Sequence, residues 1–249
     1  MKRLLCLLLP LLLSLLTFPS CGEIYQSGME FTYPLPQNVD TLDPQTASRQ
    51  SSFLTIHSIF EGLCRIDSQG NVVPGVAKKW EADDTYTRFT FHLDSSAKWS
   101  DGSPVVADDF LFAIQRALRP ETATPSVDDL FIIQGARAVY QGEADESFLG
   151  VWAEDERTLT IQLERSYPDF PALTAGTHYM PCSRSYFESC SGHYGLSSEY
   201  LLTNGPFTFG SIYAWSTDAG SRKIELVPSD TYRGAKKVAP GKLTYLIDY

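Results

Sequence analysis

The sequence predicts an α/β fold in which mixed sheets are flanked by helices. Residues 30–33, 85–93 and 157–163 alternate polar with apolar side chains, which is typical of strands with one buried face. Residues 110–118 instead repeat apolar side chains at helical spacing and predict an amphipathic helix. Of the 249 residues, 43% are hydrophobic and 12% are aromatic, so the chain has the apolar content of a folded globular protein.

The N-terminus has the composition of an export signal. Two basic residues precede an apolar stretch over residues 4–16, which is too short to span a bilayer. We therefore predict a signal peptide over residues 1–20. The Ser-Cys pair that ends at Cys21 resembles a bacterial lipoprotein box, so we expect Cys21 to carry a lipid and residues 21–27 to act as a tether. The alternative is ordinary cleavage, after which Cys21 is a free thiol or part of a disulfide.

The charge of the chain argues against a nucleic-acid partner. The formal net charge is −10, and removing residues 1–20 takes away two basic residues and no acidic one, which leaves −12. Binding phosphate groups requires a basic face, which this charge balance does not favour.

The first part of the mature chain predicts a strand, a loop and a helix. The strand covers residues 30–33, the loop contains Leu42-Asp43-Pro44, and the helix covers residues 48–58. Gly62 follows this helix. We expect it to be the C′ residue, because glycine adopts the left-handed backbone conformation without a steric penalty.

Residues 97–118 are the most informative stretch, because they combine a tight turn at Asp101-Gly102 with the start of the amphipathic helix. Two acidic residues lie in the first helical turn, where carboxylates favour the positive end of the helix dipole. Val106 is the expected N-cap, and valine is a poor one that weakens the helix start by about 1 kcal/mol.

The rest of the chain predicts further helices and strands. Residues 77–80 are expected to form a short helix that packs Trp80 against a sheet, and residues 130–140 predict another helix. Strands are expected over residues 223–228 and 243–249. We expect the last of these to leave an unpaired sheet edge.

Five short motifs are spread over the chain, namely Leu42-Asp43-Pro44, Phe60-Glu61-Gly62-Leu63, Lys98-Trp99-Ser100-Asp101-Gly102, Thr203-Asn204-Gly205-Pro206-Phe207 and Ser229-Asp230-Thr231-Tyr232-Arg233-Gly234. Together they resemble family 5 of the bacterial extracytoplasmic solute-binding proteins, which includes the oligopeptide- and dipeptide-binding proteins of ABC importers. The resemblance covers residues 28–249, but it matches only the N-terminal half of the family fold.

The resemblance implies a periplasmic-binding-protein type II-like fold, with mixed sheets and flanking helices, that lacks the second large lobe. It divides the mature chain into a first segment of lobe I over residues 28–60, an inserted smaller α/β subdomain over residues 61–195 and a return segment of lobe I over residues 196–249. Because family members hold the ligand between two lobes, we expect an open half-cleft with an exposed apolar patch unless a second chain supplies the missing lobe. The chain is then a fragment, one product of a split gene or a truncated paralogue.

The function that the resemblance implies is capture of peptides in the cell envelope and their delivery to the permease of an ABC importer. In the family, the loop after the first strand lies along the bound peptide and offers it main-chain hydrogen bonds. By position, this loop is Ser48, Arg49, Gln50 and Ser51. Asn204, near the hinge, is a further candidate ligand contact, although residues at this position are more often structural.

Two other functions stay open at this point. One is an envelope lipoprotein without a transport role that kept the lobe and lost the ligand. The other is a family 5 binder of a non-peptide ligand such as a nickel chelate, haem or a sugar, since a fold does not determine function. We expect no enzyme activity, no cofactor and no metal, because the sequence contains none of the common nucleophile, zinc or phosphate-binding motifs.

The cysteines of the mature chain are compatible with an oxidising compartment. Cys182 and Cys190 flank a short loop and are a possible disulfide, whereas Cys64 has no nearby partner in the sequence. The alternative is that all three are buried thiols.

Overall fold

The computed structural model describes residues 28–218, 220–234 and 238–247. The predicted signal peptide, Cys21 and the tether lie outside these residues and stay predictions. Within the described part of the chain, no helix has the length and apolarity of a membrane span.

The two ends of the described chain build one four-stranded sheet, which we call the terminal sheet. Its strand order is β1-β10-β9-β8, with β1 at Glu30–Pro34, β10 at Lys242–Leu246, β9 at Lys223–Pro228 and β8 at Phe207–Phe209. β1 pairs with β10 in parallel, and the other pairs are antiparallel.

The position of β10 corrects the expectation that the last strand leaves an unpaired edge. β10 lies inside the terminal sheet, with Leu243 opposite Phe31 of β1 on one side and opposite Leu226 of β9 on the other. Among the described residues, the free edges of the sheet are therefore β1 and β8. Strand alternation predicts which faces of a strand are buried, but it contains no information about the neighbours of that strand.

Helix α1, Gln50–Ile59, packs on the terminal sheet and begins two residues later than predicted. The hydroxyl groups of Ser58 and Tyr245 lie 2.7 Å apart and join the helix to β10. The expectation for Gly62 is wrong, because the chain leaves α1 through Phe60 in an extended conformation and Gly62 is not left-handed. Glycine is needed there for another reason, since a Cβ atom would collide with the carbonyl oxygen of Thr174.

The central part of the chain forms a second four-stranded sheet, which we call the middle sheet. Its order is β4-β5-β7-β6, with β4 at Ala77–Ala82, β5 at Arg88–Leu93, β7 at Thr158–Gln162 and β6 at Val151–Asp155, and all pairs are antiparallel. The two sheets thus draw on different parts of the chain. The proposed segment boundaries at residues 60/61 and 195/196 stay a prediction.

The two central strands of the middle sheet, β5 and β7, share a buried apolar face. Helix α2, Ala107–Ala117, packs on β6 and β7. The sequence correctly predicts this helix, its N-cap at Val106 and the alternation of the strands. The side chains on this face of β5 and β7 that are at most 1% exposed are Phe89, Phe91, Leu159 and Ile161.

Two predicted helices differ in the structure. Residues 77–80 belong to strand β4, where Trp80 pairs with Phe91, because the backbone hydrogen bonds of this segment go to β5. In residues 130–140 only α3, Ala136–Tyr140, is α-helical, and it is preceded by a short 3₁₀ turn at Val127–Leu130.

The remaining helices and strands are short. A small β-hairpin lies between α1 and the first strand of the middle sheet along the chain, and two short helices follow the last strand of that sheet. These elements are β2 at Cys64–Ile66, β3 at Val72–Pro74, α4 at Phe170–Leu173 and α5 at Arg184–Ser189.

The three cysteines that the structure describes are unpaired thiols, so the possible Cys182–Cys190 disulfide is not formed in it. Cys64, Cys182 and Cys190 are all buried. The thiol of Cys190 contacts the carbonyl oxygen of Tyr186 at 3.2 Å, and burial raises the pKa of Cys182 to about 12. The structure agrees with the alternative of three buried thiols.

Candidate functional site

The start of α1 carries the four residues predicted to follow a bound peptide. Ser48, Arg49 and Gln50 are exposed, and Ser51 is buried. Arg49 is extended, with φ −103° and ψ 145°, and its carbonyl accepts the first helical hydrogen bond from Phe53. The N–H groups of the first helical turn have no partner within the helix, as at any helix start.

The side chains of two of these residues already serve the fold. Ser48 donates a 2.6 Å hydrogen bond to the carboxylate of Asp40, and Ser51 accepts a 3.0 Å hydrogen bond from the backbone of Gln37. Partial burial acts to raise the pKa of Asp40, but hydrogen bonds from Ser48, Ser52 and the backbone outweigh it, so this pKa lies below its usual range. Asp40 is therefore an ionised anchor that fixes the start of α1.

Asn204 lies at the other end of α1 and is only 5% exposed. Its amide nitrogen donates to the carbonyl of Glu61 at 2.9 Å, and its amide oxygen accepts from the backbone N–H of Glu61 at 3.0 Å. The backbone N–H groups of Asn204 and Gly205 both donate to the carbonyl of Ile59. The side chain thus holds the chain that leaves α1, which is a structural role.

The structure does not bring the predicted site residues together. Ser48, Arg49 and Gln50 lie at the N-terminal end of α1 and Asn204 at its C-terminal end. Helix α1 spans ten residues, so its two ends lie about 15 Å apart at 1.5 Å per residue.

Glu61 is the centre of a buried polar cluster beside the Asn204 contact. Its side chain is 1% exposed and accepts a 2.8 Å hydrogen bond from the hydroxyl of Tyr232. It forms ion pairs with Arg65, at 3.1 Å, and with Arg233, which also donates to the carbonyl of Gly75. Two of the sequence motifs therefore meet at this one carboxylate, which sequence reasoning did not anticipate.

A cavity of about 340 Å³ opens next to this cluster. Its lining is mixed, with apolar side chains around a few charged groups, as in many small-molecule sites. The residues that line it include His57, Phe60, Glu61, Arg65, Met180 and Tyr232.

A second buried ion pair joins the first loop to the middle part of the molecule. Both guanidinium ends of Arg116 on α2 bind the carboxylate of Asp43, at 2.7 and 2.5 Å, and one of them also donates to Gln45. The guanidinium lies 4.6 Å from the ring of Phe187. The sequence signal for this contact is weak, since Arg116 stands among the apolar positions of α2 without a partner nearby in sequence.

The fold and these motifs place the chain in the class of bacterial extracellular solute-binding proteins. The chain matches the family model for "Bacterial extracellular solute-binding proteins, family 5 Middle" over residues 71–247. The chain therefore belongs to family 5 of these proteins, which confirms the resemblance derived from the motifs.

The relatives and solved structures also confirm the fold class. The chain is 33% identical to the probable deoxycholate-binding periplasmic protein YgiS of Escherichia coli K12, over 94% of this chain and 45% of that protein. It is 33% identical to the periplasmic murein peptide-binding protein MppA of the same organism, over 90% of this chain and 41% of that protein. The solved structure of Burkholderia pseudomallei OppA aligns with a TM-score of 0.81 at 32% identity, over 88% of this chain and 42% of that one. The chain spans less than half the length of these relatives.

Proposed function

We propose that the chain is the N-terminal part of the peptide-binding component of an ABC-type oligopeptide importer. The observation that carries this proposal is the set of relatives, several of which are named for binding oligopeptides, dipeptides or murein peptides. In this function the protein captures peptides outside the cytoplasm, and a permease in the membrane receives them.

The start of α1 is the part of this chain that would contact the peptide. Arg49 is extended, it is exposed together with Ser48 and Gln50, and the first N–H groups of α1 are available as donors. An extended peptide can bind there through main-chain hydrogen bonds, which tolerate different side chains. Arg49 adds a guanidinium group that can pair with a peptide carboxylate.

The rest of the binding site requires more polypeptide than this chain contains. The relatives are more than twice as long, so we propose that a continuation of the chain or a second polypeptide completes the cleft. Lipidation of Cys21 would hold the assembly at the membrane beside the permease.

Native mass spectrometry of the protein purified from its own membranes tests this function. We expect a lipidated protein, together with the polypeptide that completes the cleft and a spread of small peptides. A completed assembly that carries no peptide, even after incubation with a mixture of short peptides, would contradict the proposal.

The variant Gln50→Pro sharpens this test. Gln50 is the first residue of α1, where proline fits the helix, and the extended Arg49 suits a residue that precedes proline. The change removes one main-chain donor, and the loss of one such bond to a ligand is worth about tenfold in affinity. The matched variant Gln50→Ala keeps the N–H group and should bind peptides like the wild type.

A non-peptide ligand is the second candidate, because the relative YgiS is named for deoxycholate. Titration of the same assembly with deoxycholate separates the two functions. Saturable binding of deoxycholate without peptide binding would favour this candidate.

A further inference from the structure

A second cavity, of about 350 Å³, is formed by two segments that contain none of the predicted peptide contacts. Its volume is in the range of small-molecule sites. One wall belongs to residues 193–200, which follow α5, and the other to residues 212–221, which lie in the connection from β8 to β9. Because aromatic rings line both walls, we call it the aromatic cavity, and these rings belong to His193, Tyr200, Tyr213 and Trp215.

The two walls of the aromatic cavity are joined by hydrogen bonds. The backbone N–H of Ser198 donates to the carbonyl of Trp215 at 2.9 Å, and the backbone N–H of Trp215 donates to the hydroxyl of Ser198 at 3.2 Å. The same hydroxyl donates to the carbonyl of Ile212 at 2.7 Å. The backbone N–H of Thr217 donates to the carbonyl of Leu196 at 2.9 Å. The cavity is therefore formed in advance, so a ligand does not have to order its walls.

The rings of the aromatic cavity offer a surface that attracts positive charge, because the face of an aromatic ring carries a negative electrostatic potential. The rings of His193 and Tyr200 are tilted by 32° with 5.2 Å between their centroids. Trp215 is only 2% exposed and is fixed in the opposite wall, whereas Tyr213 is 85% exposed and lies at the rim. A ligand in the cavity therefore contacts rings from both walls.

The charged groups that line the aromatic cavity are negative. The carboxylates of Glu199 and Asp218 line it, and neither forms an ion pair with another residue in the part of the chain that the structure describes. None of the described lining residues is a lysine or an arginine. Arg222, the basic residue nearest to Asp218 in the sequence, lines a neighbouring cavity of about 310 Å³ instead.

The cavity beside Glu61 differs in this respect. Glu61 is already paired with Arg65 and Arg233, and its carboxylate accepts a hydrogen bond from Tyr232. The protein itself thus balances the negative charge of Glu61. In the aromatic cavity this balance is left to a ligand.

We propose that the aromatic cavity binds a small organic ammonium ion, which is a positively charged nitrogen with compact apolar substituents. The rings contact the substituents and attract the charge, and Glu199 and Asp218 balance it. An anionic ligand is repelled by both carboxylates, and an uncharged one gains nothing from them. The site is separate from the peptide contact at the start of α1 and does not depend on it.

Isothermal titration calorimetry with choline tests this site. The full protein is used, together with any polypeptide that accompanies it in purification. We expect saturable binding of choline. The matched uncharged alcohol, in which a carbon atom replaces the nitrogen of choline, should bind at least about tenfold more weakly, because it has the same shape without the charge.

The variant Tyr213→Ala tests the contribution of the rings. It removes one ring from the rim and should weaken choline binding by about fivefold. The unfolding midpoint should not change, because Tyr213 is exposed. Tyr86→Ala is the matched control, since Tyr86 is 46% exposed and does not line the aromatic cavity, and it should bind choline like the wild type.

The variant Asp218→Asn tests the contribution of the carboxylates. It keeps the shape of the side chain, removes one negative charge and should weaken choline binding by about threefold. Asp84→Asn removes the same charge from an exposed turn outside the cavity and should leave the affinity unchanged.

Competition with short peptides identifies the source of the ammonium group. Displacement of choline by a lysine-containing peptide, but not by the same peptide with norleucine, would assign the group to a lysine side chain. Displacement by neither peptide would assign it to a free amine. Displacement by both would overturn the inference, because the cavity would then belong to the peptide cleft.

Three further results would overturn the inference. The first is the absence of saturable choline binding, and the second is equal affinity for choline and its uncharged analogue. The third is choline binding that neither Tyr213→Ala nor Asp218→Asn weakens. None of these results bears on peptide capture, which is measured separately on the same preparations.

Discussion

The middle sheet and the terminal sheet place the same residue type in opposite environments. Phe91 lies in strand β5 and is completely buried, whereas Phe31 lies in strand β1 and is half exposed. Both strands have the same alternating pattern, so the pattern does not distinguish them. The difference lies in the layer above each strand, since Phe170 of α4 packs on Phe91 of the middle sheet, whereas every residue of β1 is exposed. The comparison indicates that one part of the chain forms a complete layered unit and the other does not.

The largest expected effect separates the two phenylalanines directly. Phe91→Ala removes a buried ring from a closed core and should lower the free energy of unfolding by about 3–5 kcal/mol. Phe31→Ala removes an exposed ring and should change it by no more than about 0.5 kcal/mol. Urea unfolding of the purified protein measures both values. Equal losses would mean that β1 is covered in solution.

The connection between the two regions is tested by Arg116→Met. This change leaves the buried carboxylate of Asp43 without its partner and should cost about 3–5 kcal/mol in urea unfolding. The exposed pair of Lys79 and Glu81 is the control, since Lys79→Ala should cost about 1 kcal/mol or less. A loss as small as that of the control would show that Asp43 reaches water when Arg116 is gone.

A pH dependence is expected from the start of α2 beside the middle sheet. Burial raises the pKa of Asp109 to about 6, despite hydrogen bonds from Trp99 and the backbone of Val106. Between about pH 4 and pH 6 the folded protein therefore holds a proton that the unfolded chain has lost. The contribution of Asp109 to the free energy of unfolding therefore falls as the pH rises through that window, and it is constant above it.

The variant Asp109→Asn isolates this effect. Both donors contact the same carboxylate oxygen, so the amide oxygen of asparagine can accept both hydrogen bonds. Between pH 4 and pH 7, the free energy of unfolding of the variant should rise relative to that of the wild type by on the order of 3 kcal/mol. Asp108→Asn, at the exposed neighbouring position, controls for the loss of one negative charge. A stability difference that does not vary with pH would contradict the assignment.

The smallest expected effect concerns the contact that holds the end of α1. Asn204→Ala leaves the buried N–H and C=O groups of Glu61 without partners and should cost about 1–3 kcal/mol in the same assay. Asn71→Ala, in an exposed turn, is the matched control. If Asn204 instead served mainly as a ligand contact, the loss would appear in peptide binding and not in stability.

The sequence predicted local structure well and long-range partners poorly. The alternation in β5 and β7 and the apolar spacing in α2 correctly indicated buried faces, because both patterns depend only on nearby residues. The interior position of β10, the close approach that requires Gly62 and the ion pair of Asp43 with Arg116 depend on residues far away in the chain. No local pattern could reveal them.

The same limit applies to the candidate site. The exposed start of α1 was predicted by resemblance, and the structure places Ser48, Arg49 and Gln50 at the surface. Their distance from Asn204 and the structural role of that residue became visible only in three dimensions. The cluster around Glu61 could not be predicted either, since its members come from segments more than 150 residues apart.

The pairing of β1 with β10 has a consequence for the biogenesis of the protein. The two strands are separated by more than 200 residues, so β1 cannot find its neighbour until nearly the whole described chain has been synthesised. The middle sheet uses only residues 77–162 and can form earlier. Folding that depends on such distant pairing is slow. The terminal sheet therefore closes last, and until β10 arrives β1 stays an unpaired strand that can associate with other chains.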